Sequence, residues 1–136
     1  MKRIFNKRIG LLFVLLLQVP LISATTIDSA MTFYSDSGRL SFDAVRGENI
    51  WHKKYTAEDG STRSCGTCHG DDLTKSGKHK KTGKVIDPMA ISVNPDRYTD
   101  MKKIKKWFKR NCKWTMGREC TSQEKGDVLK YLSQLK

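Results

Sequence analysis

Residues Cys65-Gly66-Thr67-Cys68-His69 decide how this chain of 136 residues is read. Two thiols three positions apart, with a histidine directly after the second, can add across the vinyl groups of a haem while the imidazole takes the iron from one face. Two other uses of the motif compete with that one. A redox dithiol of the thioredoxin kind wants a strand before it and a parallel sheet around it, and no alternating strand pattern stands nearby. A zinc site wants further ligands at clustered spacing, which Cys112 and Cys120 could supply only if not otherwise paired. The histidine, together with the export leader and the helical pattern set out next, favours one covalently bound haem c. Cys65 and Cys68 are its thioether candidates and His69 its proximal iron ligand. The second ring nitrogen of His69 should then donate to a backbone carbonyl, with the loops before Pro88 and Pro95 as candidates.

Toward the N-terminus, Lys2, Arg3, Lys7 and Arg8 precede an apolar run from Ile9 to Leu17, which Gln18 and Pro20 break before Ser23 and Ala24. A basic region, a short apolar core and a small-residue exit describe a secretory signal peptide over residues 1–24. The run is well short of the ~20 residues that a bilayer span requires. Cleavage after Ala24 leaves residues 25–136 as one monohaem cytochrome c domain in the periplasm, where disulfides are permitted. The whole chain holds 26 Lys+Arg against 14 Asp+Glu, a formal charge of +12. Its 38% apolar content excludes a disordered tail, and its 29% charged content excludes a polytopic membrane protein.

The remainder reads as helix and loop. Phe42 to Tyr55 places Phe42, Val45, Ile50 and Trp51 on one stripe, with Asp43 early and Lys53 and Lys54 late. Lys75 to Lys84 is polar and basic, as in a solvated loop. Thr99 can cap a helix from Asp100 to Arg110, on which Met101, Ile104, Trp107, Phe108 and Asn111 recur three or four apart. Thr121 and Glu124 form a capping-box pattern before Val128, Leu129, Leu132 and Leu135. No convincing strand pair is visible. The expected fold is all-α, a small class I cytochrome c-like domain of three to five short helices around one covalent haem. A core this small needs such a group, a metal or a disulfide to complete it.

The sixth iron position decides the chemistry. His52 reads as a surface residue and His79 as solvated among lysines. Of the methionines after His69, namely Met89, Met101 and Met116, the last lies in an expected loop before Gly117 and is the credible ligand. It would saturate the iron and leave no place for a small molecule.

Ser64 to Gly70, Thr82-Gly83-Lys84, Asn94-Pro95-Asp96-Arg97, Lys106-Trp107-Phe108-Lys109-Arg110-Asn111-Cys112, Gly117 to Thr121 and Glu124 to Asp127 together resemble one family, the oxygen-binding cytochromes c called sphaeroides haem protein. The resemblance runs from about Val45 to Leu135. It implies that Asn111 is the sixth ligand, that Cys112 and Cys120 form a disulfide, and that a dihaem cytochrome c donates electrons. Asn111 would end its helix and aim a neutral, hard carboxamide oxygen at the iron, tolerable to the ferric state and poor for the ferrous one. Reduction would then release it, and the amide NH2 could donate to bound dioxygen. The plainer uses, Asn111 as a helix C-cap and Met116 as the ligand, stay open on the residues alone.

Lys75, Lys78, Lys80, Lys81 and Lys84 form one basic cluster, and Lys102, Lys103, Lys105, Lys106, Lys109 and Arg110 another. An exported haem protein without a recognition motif is a poor nucleic-acid binder. The charge instead suits an acidic redox partner of a monomeric protein. Arg97 or Lys84 would neutralise the haem propionates. Three function classes fit: an electron acceptor that binds a diatomic ligand (O2, NO or CO), with or without turnover as a terminal reductase; a plain carrier ligated by His69 and Met116; and a gas sensor or scavenger.

Overall fold

The structure, a computed structural model, describes residues 26–135, so the leader expected over residues 1–24 lies outside the described residues. Helix α1 (Thr26–Tyr34) buries Ile27, Ala30 and Tyr34, and it packs on the two C-terminal helices. Those three residues recur at helical spacing, although no element is expected there from the sequence pattern.

Helix α2 (Ala44–His52) begins at Asp43, whose carboxylate accepts from Arg46 N–H at 2.8 Å. It lies against the last helix at backbone contact. A Cβ on Gly47 would stand 2.0 Å from the Asp127 carbonyl oxygen. That closeness corrects the expected stripe: α2 buries Gly47 and Trp51, while Val45 is 64% exposed. Asp127 itself is 1% exposed. It accepts from Asp43 N–H at 2.8 Å, from Arg46 Nε and Nη2 at 2.9 Å each, and from Gln123 Nε2 at 3.0 Å.

Two antiparallel pairs of minimal strands follow. In the first, β1 (Tyr55–Thr56) faces β2 (Thr62–Arg63) with Tyr55 opposite Arg63. A one-turn helix, α3 (Gly66–His69), separates them from the second. There β3 (Gly77–Lys78) faces β4 (Val85–Ile86), with Gly77 opposite Ile86. Two residues per strand are too few to show alternation, so the sequence pattern held no sign of them. The stretch Lys75 to Lys84 is thus half of a hairpin rather than an open loop.

Pro95–Tyr98 forms a 3₁₀ turn and leads to α4 (Met101–Met116). Its N-cap is Asp100, which accepts from Lys102 N–H at 2.8 Å and Lys103 N–H at 3.2 Å. Thr99, the expected cap, instead donates its hydroxyl to Asp96 O at 2.9 Å. The expected end at Arg110 is also corrected. Nothing between Asn111 and Met116 breaks a helix, and α4 stops only at Gly117, in the left-handed region at φ 72°. Asn111 therefore sits inside the helix rather than capping it, and Met116 is the last helical residue rather than part of a loop.

The final helix, α5 (Ser122–Ser133), has the full capping box. Glu124 N–H donates to Thr121 Oγ1 at 3.1 Å, and Thr121 N–H donates to Glu124 Oε2 at 2.8 Å. Its Val128, Leu129 and Leu132 meet Trp51, Leu73 and Ile104 in the core. The architecture is mostly helical.

Candidate functional site

Helix α3 is a single turn whose shape is set locally. Ser64 N–H donates to Thr67 Oγ1 at 2.8 Å, His69 N–H to Cys65 O at 3.2 Å and Gly70 N–H to Gly66 O at 2.8 Å. Positions 65, 68 and 69 share one side of such a turn. All three line a cavity of about 1280 Å³. The hairpin backs this turn directly, because a Cβ on Gly77 would lie 2.2 Å from Cys68 O and 2.7 Å from His69 Cα.

Burial, with help from the Arg97 charge, pulls the His69 imidazole down to about 4, so it is neutral at pH 7. Burial likewise pushes the Cys65 thiol up to about 11. A neutral imidazole is ready to ligate a metal, while a protonated, buried thiol does not suit a reactive dithiol. Among the described residues, no three His, Cys, Asp or Glu side chains gather closely enough to hold a metal ion. Trp51 packs on the histidine with ring centroids 5.3 Å apart. Trp51 Nε1 and His69 Nδ1 are buried without a hydrogen-bond partner. The expected carbonyl acceptor for His69 is therefore not in place. The Asn94 carbonyl before Pro95 accepts from Arg97 N–H at 3.1 Å, and the Pro88 loop is turned toward Asn94, whose Nδ2 donates to Pro88 O at 3.0 Å.

Helix α4 lines the same cavity through Lys103, Ile104 and all of 107–116, with Ile104, Phe108 and Asn111 spaced four and then three apart. Asn111 is exposed, and its amide makes no hydrogen bond to any described residue. Met116 also lines the cavity. It follows Asn111 by five residues, about 140° around the helix. Its sulfur rests 3.6 Å from Cys120 Sγ, a plain sulfur contact, since Cys120 is bonded to Cys112 with a Cα–Cα distance of 5.6 Å. His79, Lys84, Met89 and Arg97 stand in the wall as well; His52 and Met101 do not. The Met89 sulfur is engaged by Arg97 Nη2 at 3.0 Å.

Two supports of this site were invisible in the sequence. Trp51 read only as an apolar position, and nothing local marked it as the neighbour of His69. Arg63, two residues before Cys65, donates to Trp114 O at 3.0 Å and lies 4.7 Å over the Trp114 ring. It thereby ties the entry to α3 to the end of α4 across 51 positions of sequence.

The cavity exceeds the ~300–1,000 Å³ usual for small-molecule sites. Its two thiols and neutral histidine fit a haem attached through the α3 turn. Comparison with known proteins agrees. Residues 37–132 match a family profile described as "Domain of unknown function (DUF1924)". The cytochrome c-type protein SHP of Cereibacter sphaeroides is 42% identical over 100 residues, covering 74% of this chain and 77% of that protein. Cytochrome c″ of Methylophilus methylotrophus is 33% identical over 86 residues, covering 63% and 60%. Among solved structures, oxidised SHP, an oxygen-binding cytochrome c, superposes with a TM-score of 0.73 at 39% identity over 81% of this chain and 97% of that one. Oxidised cytochrome c″ gives 0.74 at 25% identity over 82% and 95%. A solution structure of cytochrome c″, concerned with haem-ligand detachment, gives 0.65 at 25% identity over 80% and 90%. This chain belongs to the sphaeroides haem protein family, mostly helical cytochromes c that carry one covalently bound haem c.

Proposed function

We propose that this chain is an exported, periplasmic monohaem cytochrome c that accepts electrons from an acidic redox partner and, once reduced, binds oxygen or another diatomic molecule. Cys65 and Cys68 hold the cofactor by thioether bonds, His69 gives the iron its proximal nitrogen, and Asn111 gives it a displaceable distal oxygen. One observation carries the reading: Asn111 lines the cavity beside Ile104 and Phe108, with an amide that no described residue engages. When bound, haem supplies an iron that exchanges one electron and takes a sixth ligand wherever the protein leaves that position open.

The carboxamide oxygen of Asn111 is hard and uncharged, so it holds the oxidised state and yields in the reduced one. Its NH2 then becomes a donor for the incoming ligand. Arg97 and Lys84, both in the cavity wall, are placed to neutralise the propionates. The oxygen binding named for SHP and the ligand detachment named for cytochrome c″ support both halves of this reading. The carrier reading through Met116 ranks second, because that sulfur lies against the disulfide and off the face that carries Asn111.

The test is the visible spectrum of the protein reduced without air and then exposed to carbon monoxide. A high-spin ferrous spectrum that shifts at once supports an open site. A low-spin spectrum indifferent to the gas overturns it in favour of Met116. Asn111→Ala should turn the ferric form high-spin or water-ligated, and an unchanged ferric spectrum would remove Asn111 from the iron. Steady oxygen or nitric oxide consumption with a reduced donor separates turnover from sensing or scavenging.

A further inference from the structure

Helix α4 carries seven cations, Lys102, Lys103, Lys105, Lys106, Lys109, Arg110 and Lys113, and no acid in its sixteen residues. Every one of them is exposed. None forms an ion pair with any described residue. Like charges three and four apart on a helix repel, so this arrangement is a standing cost to the folded chain. At the edge of this face sits Trp107, 49% exposed, which lines the cavity together with Lys103, Lys109, Arg110 and Lys113. The Arg110 guanidinium covers its ring at 5.2 Å. The other basic cluster is different. Lys75 is paired with Asp72 at 3.0 Å, and Asp71 and Asp87 sit in the same stretch of chain.

We propose that the outer face of α4, bordered on its cavity side by Trp107, is the docking surface for an acidic redox protein. The proposal rests on the haem reading above but not on which residue is the sixth ligand. Complementary charge steers such a partner to this face. Trp107, flanked by Arg110, supplies the kind of aromatic and guanidinium contact that dominates protein interfaces. Its ring joins the outer surface to the cavity wall, so a partner seated there delivers electrons next to the cofactor. The helix that receives the donor is then the helix that carries Asn111.

The test uses the ferric holoprotein and stopped-flow reduction by fully reduced flavodoxin, a small acidic electron-transfer protein. The uncharged reductant tetramethylphenylenediamine serves as the control. Three variants are compared with the parent: Lys102→Glu/Lys106→Glu/Lys109→Glu on α4, Lys78→Glu/Lys80→Glu/Lys81→Glu on the hairpin, and Trp107→Ala. At low salt the α4 triple should slow flavodoxin by about tenfold or more, an effect that shrinks as salt screens it. The hairpin triple should stay within about twofold, and the uncharged reductant should not distinguish the proteins. Trp107→Ala should slow flavodoxin without changing the salt dependence.

Equal slowing by both triples would mean that net charge, not a docking face, sets the rate. No slowing by the α4 triple would overturn the proposal outright. So would tight binding of the parent to phosphatidylglycerol vesicles that the α4 triple loses while its flavodoxin rate is unchanged, which would make the face a membrane contact. Where charge reversal disturbs the fold, the Lys→Gln triple at the same positions carries the same test with half the charge change. A protein with no covalent haem spectrum would fail the functional reading itself, before docking is measured.

Discussion

Replacing Gly77 by alanine sets a methyl group against backbone rather than against a side chain that could rotate away. The added Cβ would lie 2.2 Å from the Cys68 carbonyl oxygen and 2.7 Å from His69 Cα, where ordinary contact begins at 3.4 Å. The hairpin and α3 must therefore separate by about 1.2 Å, the difference between those first and last distances. Forcing a methyl into packed surroundings costs about 1–3 kcal/mol. Alanine returns roughly 0.4–1 kcal/mol by stiffening the unfolded chain, because the backbone at Gly77 is not in the left-handed region. The net loss should be about 1–2 kcal/mol, a fall in Tm of roughly 5–10 °C for a domain of this size. Denaturant and thermal unfolding of the ferric holoprotein, followed at the haem absorbance, measure it. Since the clash falls on the segment bearing Cys68 and His69, the ligand-field bands should shift as well. Ser76→Ala, on an exposed neighbour, should stay within about 0.5 kcal/mol. Parental stability and an unchanged spectrum for Gly77→Ala would refute the claim that the hairpin braces the attachment turn.

Asp127→Asn should cost about 1–3 kcal/mol, because a buried carboxylate that accepts from Asp43, Arg46 and Gln123 loses its charge-assisted bonds; a neutral result in denaturant unfolding would make the network dispensable. Acid should act through the same residue and through Glu124. Burial alone would raise the Asp127 carboxyl, but the hydrogen bonds from Arg46, Asp43 N–H and Gln123 win and hold it low, while the Arg118 guanidinium brings Glu124 down to about 2. Depressed carboxyls stabilise fully above their unfolded values near 4 and cease to do so as pH falls toward 2, so unfolding midpoints should drop through that window and be flat above about pH 5. Reducing Cys112–Cys120 should change carbon monoxide association and release rates more than it changes haem retention, and identical rates in both forms would take the disulfide out of ligand binding.

The parts of this molecule that were legible in its sequence are those whose causes are local. The thiol–thiol–histidine turn needs only its five residues, and the α5 capping box needs only Thr121 and Glu124. The register of α4 was also readable from Ile104 and Phe108, but its end was not. An asparagine suggests a cap, and only the free run to Gly117 shows that the helix passes through it. What stayed hidden depends on partners far along the chain. Nothing local marks Asp127 as a buried acceptor, because the Arg46 that meets it lies 81 residues away. Val45 matched the apolar period of α2, yet Gly47 rather than Val45 faces α5, because the approach of two backbones selects the residue without a side chain. Trp107 fitted the apolar face of α4 and turned out half exposed at the rim of the cavity.

Gly47 and Asp127 are absent from the cavity wall, which between them is built from Trp51, Val128, Leu129 and Leu132. Those wall residues hold their places because α2 and α5 touch at Gly47, and Trp51 in turn rests on His69. Any side chain added at position 47 levers the helices apart and moves the tryptophan one turn further on, and with it the support of the histidine. Tolerance to substitution should therefore follow the lever rather than distance from the cofactor, so that a glycine with no view of the haem is less replaceable than a methionine in the pocket itself.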